Sequence, residues 1–330
     1  MNSRFLIILG IFILIDLYFF QALSTLLKNA PTNRRNIVNT VYWSITGLTI
    51  SLFLFHFFYS FRLWNDYVRI YLTAFLFCIM ICKLIGSIIL LADDSIRLLR
   101  WAGTYIFPKT APDPFNPHAI GRMKFLSQMA VLLASIPFVS MMYGMVKSGY
   151  DIRLRKVKIK LSGLPAAFEG LKIIQISDIH CGTFTSAAHF ENAIQIIQKE
   201  KPDVIFFTGD LVNDVATETE KFHDTFKKMS APLGVYSILG NHDYGDYVQW
   251  ETAEEKAKNL ESLENIQKSY GWKLLRNEHS TLKIGKDEIA IIGVENWGKR
   301  GFVKYGNLKK AYSGAEKYPV KILLSHDPSH

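Results

Sequence analysis

Cysteine is scarce in this 330-residue chain, and the placement of the three that occur excludes two kinds of site. Cys78 and Cys82 lie four apart inside an apolar run, and Cys181 stands alone in the more polar second half. Neither a disulfide framework nor a C-x-x-C zinc pattern can be built from them. The marks of nucleic-acid binding are missing as well. A formal charge of +9 is spread over the stretches between apolar runs and one short segment, Arg153–Lys160, with no interleaved aromatic platform and no nucleic-acid motif. Attraction to anionic lipid headgroups accounts for basic residues in such places more simply. Charge is sparse up to about Tyr150 and recurs every few positions after it, so the bulk composition describes neither half.

What the first half has is apolar length. Four stretches, roughly Phe5–Leu27, Ile37–Phe61, Ile70–Ala92 and Phe125–Val146, reach the ~20 residues that a membrane-spanning helix needs. They predict an all-α transmembrane region over residues 1–150, partnered by a lipid bilayer, ahead of a second domain over 151–330. The first stretch is long for a cleaved signal peptide and three more follow it, which favours a retained helix. Thr110–Pro117 (TAPDPFNP) predicts an irregular loop, and Pro137 a kink in the fourth helix. Asp16, His56 and Lys83 fall within spans, where ionisable groups turn inward and find partners. An Asp16–Lys83 contact with a structural role is a simpler account of them than transport.

Orientation follows from the loops. Lys28, Arg34, Arg35, Arg97, Arg100, Lys109, Arg122 and Lys124 stand on one side, against Arg4, Arg62, Arg69 and Lys147 on the other. Arg153–Lys160 is discounted as part of a folded strand, and the positive-inside rule then puts the second domain outside the cytoplasm.

From Asp151 the pattern changes. Ile152, Leu154, Val157, Ile159 and Leu161, with basic residues between, read as a half-exposed strand. Buried strands are predicted at Leu171–Ile176, Asp203–Phe207 and Val235–Leu239, and helices at Ala187–Lys199, Glu218–Met229 and Ala253–Ser269. Further strands follow near Trp272–Leu275, Ser280–Ile284, Ile289–Val294 and Lys321–Leu324. Strands alternating with helices argue for βαβ units and a mainly parallel sheet, and the later run of strands for a second sheet packed on it.

Ligands of open α/β sheets collect at the carboxyl ends of strands. There the sequence sets Ser177-Asp178-Ile179-His180, then Gly209-Asp210-Leu211-Val212-Asn213-Asp214, then Gly240-Asn241-His242-Asp243, and finally Ser325-His326. Each block alone is a common turn. Their succession on predicted strand ends brings carboxylates, imidazoles and an amide oxygen to one rim, a donor set suited to Zn, Mn or Fe. The set exceeds what one ion needs, and two ions about 3.5–4 Å apart bridged by a carboxylate accommodate it. Gly209 and Gly240 would let the backbone turn sharply at the strand exits.

SDIH, GDLVND, GNHD and LLSH resemble the successive blocks of the calcineurin-like metallophosphoesterases, in particular their membrane-linked bacterial branch. The resemblance runs from about Ile159 to His330 and does not include the apolar half. It implies an α/β fold, a four-layer α/β/β/α sandwich behind the four-helix region, in an integral protein of a bacterial cytoplasmic membrane. It implies that Asp178 and His180 bind one divalent ion, that Asp210 bridges two, and that Asn241 and His326 bind the second. His242 would face the phosphate and protonate the leaving oxygen, while a hydroxide bridging the ions attacks phosphorus. The expected substrate is a phosphorylated small molecule or lipid.

The family continues beyond the LLSH block to a GHTH-like block, whose two histidines complete one ligand set each. The sequence stops at Ser325–His330, and His330 does not fit that block. A fragment with a C-terminally incomplete sandwich and one ligand short at each ion is therefore expected. The competing reading is a non-catalytic membrane sensor or scaffold with a degenerate phosphoesterase domain. Cys181 reads as an inert buried thiol, and Asn213 and Asp214 as turn residues or partners of ligands.

Overall fold

Runs of Leu, Ile and Phe with few breakers leave the backbone of the first half no better arrangement than helix, because each turn satisfies its own N–H and C=O groups. The structure is a computed structural model that describes residues 3–58, 66–106, 118–147, 151–298 and 303–329. The chain divides into two compact units, Met1–Asp151 and Ile152–His330.

The first unit is four helices: α1 (Ser3–Leu26), α2 (Thr32–Phe58), α3 (Asp66–Ile106) and α4 (His118–Val146). Each contains a stretch long and apolar enough to cross a membrane. Their outer faces carry Ile7, Leu14, Leu17, Leu48, Phe77, Leu132 and Val139, as a lipid-facing surface would, while small residues such as Ala22, Ala130 and Ala134 are buried inside. α3 runs well past the expected end at Ala92, for 41 residues, or about 60 Å. Asp93 and Asp94 looked like a terminus, but Tyr18 on α1 donates a hydrogen bond to Asp94 at 2.7 Å and the helix continues through them. α4 likewise continues through Pro137. The Thr110–Pro117 loop and the His56 side chain lie outside the described residues.

Asp16 and Lys83 do meet. Both are buried, and the Lys83 ammonium donates to Asp16 Oδ1. Two side chains of α2 close the cluster: Thr46 donates to Asp16 Oδ1 at 3.0 Å, and the Tyr42 hydroxyl lies 2.8 Å from the Asp16 carbonyl. Lys83 also sits 4.5 Å from the Tyr42 ring centroid. Three helices are thus pinned through one fully partnered charge pair, which removes much of the cost of holding ions away from water.

In the second unit, aliphatic runs closed by glycine or aspartate form a parallel sheet of β1 (Ile173–Ile176), β2 (Val204–Phe207), β3 (Val235–Ser237) and β4 (Trp272–Leu274), in that order. A second sheet holds β5 (Glu278–Ile284), β6 (Asp287–Gly293) and β7 (Lys321–Leu324), with β5 antiparallel and β7 parallel to β6. Helices α5 (Ala188–Glu200), α6 (His223–Phe226) and α7 (Ala253–Ser269) cover the first sheet, and the short α8 (Leu308–Tyr312) packs on the second.

The core is layered accordingly. Phe190, Ile194, Ile205, Phe207, Phe226 and Leu263 fill the space between helices and first sheet. Phe206, Tyr236, Ile238, Ile289, Ile291 and Leu324 fill the space between the sheets, and Ala290, Ile292 and Ala311 the space under α8. The fold is the expected α/β/β/α sandwich.

Two expectations fail. Ile152–Leu161 is not a strand; it is extended but joins no ladder among the described residues, with Val157 81% and Ile159 74% exposed. Alternation signals a half-buried surface only where a neighbouring strand supplies backbone partners. The ground for discounting its five cations goes with it, and with them counted eight basic residues stand against nine, so the charge rule gives no direction. Glu218–Met229 is not one helix either. It breaks into a 3-10 stretch, Ala216–Phe222, and the single turn of α6, because the Glu218 carboxylate is engaged by the backbone before it.

Replacing Asp16 by alanine strands the Lys83 ammonium and should cost about 3–5 kcal/mol. A double replacement, Asp16→Leu with Lys83→Met, should recover most of that loss, read as unfolding in detergent micelles. A double variant no more stable than the single one would show that the pair is not what holds these helices together.

Candidate metal centre

Because β1, β2 and β3 are parallel, their carboxyl ends open at one edge, and the loops leaving them run side by side. The Asp178 N–H donates to the Gly209 carbonyl at 3.0 Å, His180 N–H to Asp210 O at 3.1 Å and Cys181 N–H to Leu211 O at 2.9 Å. The first two loops therefore continue the ladder beyond the strands. Asp178, His180 and Asp210 adopt left-handed backbone, with φ of 55°, 45° and 59°. Such strain, on the order of 1–3 kcal/mol per residue, concentrates where side chains must be aimed.

The glycines act differently from one another. Gly209, at φ 98°, makes the turn. Gly240 does not have positive φ; it is a close approach, since a Cβ there would sit 2.2 Å from Asp210 Oδ1. A Cβ on Gly209 would in turn lie 2.3 Å from Gly240 N. The two loops touch backbone to backbone, which brings Asp210 and Asn241 together.

Asp210 lies at the middle. Its Oδ2 is 3.4 Å from His180 Nε2 and 3.3 Å from His326 Nε2, and its Oδ1 accepts the His242 N–H at 2.9 Å. His326 Nε2 is also 3.1 Å from Asn241 Oδ1. Asp178 Oδ1 lies 4.0 Å from His180 Nε2. Donor atoms of His180, Asp210 and His242 fall within 4.8 Å of one another, as do those of Asp178, Asp210 and His326. All six predicted residues thus gather at one rim, with Asp210 common to both groups. Asp178 pairs spatially with His326 as well as with His180, and His242 stands against the His180 ring at 4.7 Å.

Backbone carbonyls fix the imidazole tautomers. Thr208 O lies 2.8 Å from His326 Nδ1, and Asn213 O 2.6 Å from His242 Nδ1. A carbonyl only accepts, so each Nδ1 carries the proton and each Nε2 is left to the site. Burial lowers the His326 pKa, but the hydrogen bond and charge of Asp210 outweigh it and push it up to about 9. Burial raises the Asp210 carboxyl, and His326 and His242 more than reverse that, leaving it below its ordinary value. Without a cation, imidazolium supplies the positive charge that the carboxylate needs.

Two carboxylates had no assigned role in the sequence reading. Asp243 is fully buried, and its oxygens accept N–H groups of Asp210 (2.8 Å), Leu211 (2.9 Å), Val212 (3.3 Å) and Gly240 (2.9 Å). Burial, then the charge of Asp210, push it up to about 6. Glu218 accepts from the Asn213, Asp214 and Val215 N–H groups and so closes the loop that follows Asp210. The adjoining Tyr244 ties the His242 loop to the segment that follows β6: its hydroxyl donates to Glu295 at 3.1 Å and its ring stacks on Tyr305 at 3.7 Å. Cys181 is buried, and burial pushes its thiol well up, which keeps it unreactive.

Residues 171–330 match the family model described as "Calcineurin-like phosphoesterase", and residues 3–149 match "Probable Calcineurin-like phosphoesterase, transmembrane domain". This chain carries a calcineurin-like phosphoesterase domain behind a region that matches the transmembrane domain of such proteins. Among its relatives is a transmembrane protein with metallophosphoesterase domain of Danio rerio, 26% identical over 61% of this chain and 45% of the relative. An uncharacterized metallophosphoesterase of Bacillus subtilis is 34% identical over 41% of this chain and 45% of its own length. A UDP-2,3-diacylglucosamine pyrophosphatase of Chlamydia trachomatis is 28% identical over 54% of this chain and 63% of its own. The chain spans about half the length of the first two relatives and somewhat more of the third. Among the described residues of this domain the gathered donors are oxygen and nitrogen only, lie within a few ångströms, and fit divalent cations of the Zn, Mn or Fe type.

A cation at His326 Nε2 must displace its proton. Mn²⁺ affinity should therefore rise about tenfold per pH unit from pH 7 towards 9 and flatten above that, with proton release visible by calorimetry in two buffers. A pH-independent affinity would remove His326 from the site. The sign for stability is opposite: the raised pKa stabilises the metal-free domain fully below about pH 6.5, and that contribution fades as pH rises through about 9. Gly240→Ala should abolish Mn²⁺ binding by driving a methyl into the Asp210 carboxylate, while retained binding would mean that the loop contact can relax.

Proposed function

We propose that this chain is the catalytic part of a membrane-anchored, metal-dependent phosphoesterase that hydrolyses a phosphoester or phosphoanhydride. The observation that carries the reading is the shared carboxylate, Asp210 Oδ2, standing 3.4 Å and 3.3 Å from imidazole nitrogens on its two sides. Asp178 and His180 would hold one divalent ion, Asn241 and His326 a second, and Asp210 both. When bound, such ions lower the pKa of water towards neutrality and offset charge on phosphoryl oxygens.

The chain's own groups do the rest. His242, its Nδ1–H committed to the Asn213 carbonyl, turns Nε2 to the substrate and, from the doubly protonated ring, gives the Nε2 proton to the leaving oxygen. Its backbone N–H holds Asp210 Oδ1, so acid and shared carboxylate keep a fixed separation. Asp178 is the open side of the site, 58% exposed at its side chain, whereas Asp210 and His326 are enclosed. Substrate enters past Asp178.

A lipid-linked substrate is the class we favour. Four apolar helices hold the domain at a bilayer, and the Chlamydia trachomatis relative is named for a pyrophosphatase acting on a diacylated sugar nucleotide. The setting we favour is a bacterial cytoplasmic membrane, the relatives of Bacillus subtilis and Chlamydia trachomatis both being bacterial proteins.

Hydrolysis of an aryl phosphodiester by the full-length protein with Mn²⁺ tests the chemistry. Asp210→Ala should lose both metal and activity. His242→Ala should keep the metal and lose about 10²–10⁴-fold in kcat. A full-length protein that binds no divalent ion would sink the enzyme reading in favour of a scaffold. Equal rates on soluble and bilayer-embedded phosphoanhydrides would remove the lipid preference alone.

A further inference from the structure

Asn241 presents its oxygen to the site on a group that can rotate. A carboxamide free to swing about its last torsion must be ordered before a cation can use it, and that ordering is subtracted from affinity. We infer that Tyr247 is a positioning residue that holds the Asn241 amide in its ligating orientation and so sets the affinity of the second cation position; this rests on the phosphoesterase reading above.

Three observations carry it. Asn241 Nδ2 donates to the Tyr247 hydroxyl at 2.8 Å. On the other side of the same amide, Oδ1 stands 3.1 Å from His326 Nε2. With Oδ1 turned to His326 and Nδ2 bound to the phenol, the amide plane is held from both sides. Third, the Tyr247 ring lies 4.6 Å from the His242 ring at a tilt of 40°. Tyr247 is 49% exposed, so the fold does not need its ring for the core. Yet its hydroxyl meets one proposed site residue and its ring the next.

These two contacts separate by substitution. Tyr247→Phe deletes the hydroxyl and keeps the ring; Tyr247→Ala deletes both. Groups that orient a ligand typically change metal affinity about 10–100-fold when removed. In a Mn²⁺ titration of the full chain, Tyr247→Phe should weaken by about tenfold the same binding step that Asn241→Ala weakens. The unfolding midpoint of the metal-free protein should stay put. Tyr247→Ala should add a loss in kcat at saturating Mn²⁺ that Tyr247→Phe lacks, because the His242 ring loses its packing.

Asn241→Ala is the reference. If it weakens binding while Tyr247→Phe binds as the unmodified chain does, the inference is overturned and the metal centre stands. If Asn241→Ala also binds normally, the second cation position itself is wrong and the inference falls with it. A Tyr247→Phe protein that unfolds as much earlier as it binds more weakly would make Tyr247 a stability residue, which also overturns the inference.

Discussion

Asp243 sits out of water with its two oxygens on four backbone N–H groups, three from the loop after β2 and one from the loop after β3. That interaction turns two loops into a single rigid edge. A buried carboxylate is costly, and each of its hydrogen bonds to the backbone returns part of the cost. The arrangement leaves Asp210 with no freedom: its N–H is held by Asp243, its carbonyl by the His180 N–H, and its carboxylate by the His242 N–H. Residues of three strand ends are thereby fixed within a few ångströms, with the buried Cys181, Leu211 and Val212 side chains packed beneath them.

The same physics recurs in the first unit at lower complexity. Asp16 and Lys83 are tolerable inside an apolar bundle because Thr46 and Tyr42 complete their hydrogen bonding. In both units a charge is buried only together with every group it needs. One cluster secures helix packing; the other sets metal-binding side chains at the open edge of a sheet.

Much of this was legible before the fold was known. β1, β2, β3 and β7 announce themselves as short aliphatic runs ending in Gly, Asp or Ser-His, and α7 has its cap, Thr252, written ahead of it. What sequence pattern cannot carry is whether a partner is present. Ile152–Leu161 alternates as a strand should and finds no ladder. Glu218 looks like a helix residue and is spent on three loop amides. α8 is too short for periodicity to reveal, and rests on the Asn307 cap at 3.0 Å. Asp243 stood in plain view within GNHD, but its role comes from complete burial, which no spacing encodes. Tyr247 had no signal beyond being aromatic near a turn.

Three of the gathered residues, Asp178, His180 and Asp210, occupy left-handed backbone that only glycine adopts without penalty. Glycine at those positions would relax the backbone and remove the donors together, so strain and chemistry are carried by the same three residues. Any stabilising redesign guided by backbone energy alone would select against the donors first. Of the five described non-glycine residues in left-handed backbone, three lie on this one edge and only Lys201 and Asn277 lie elsewhere.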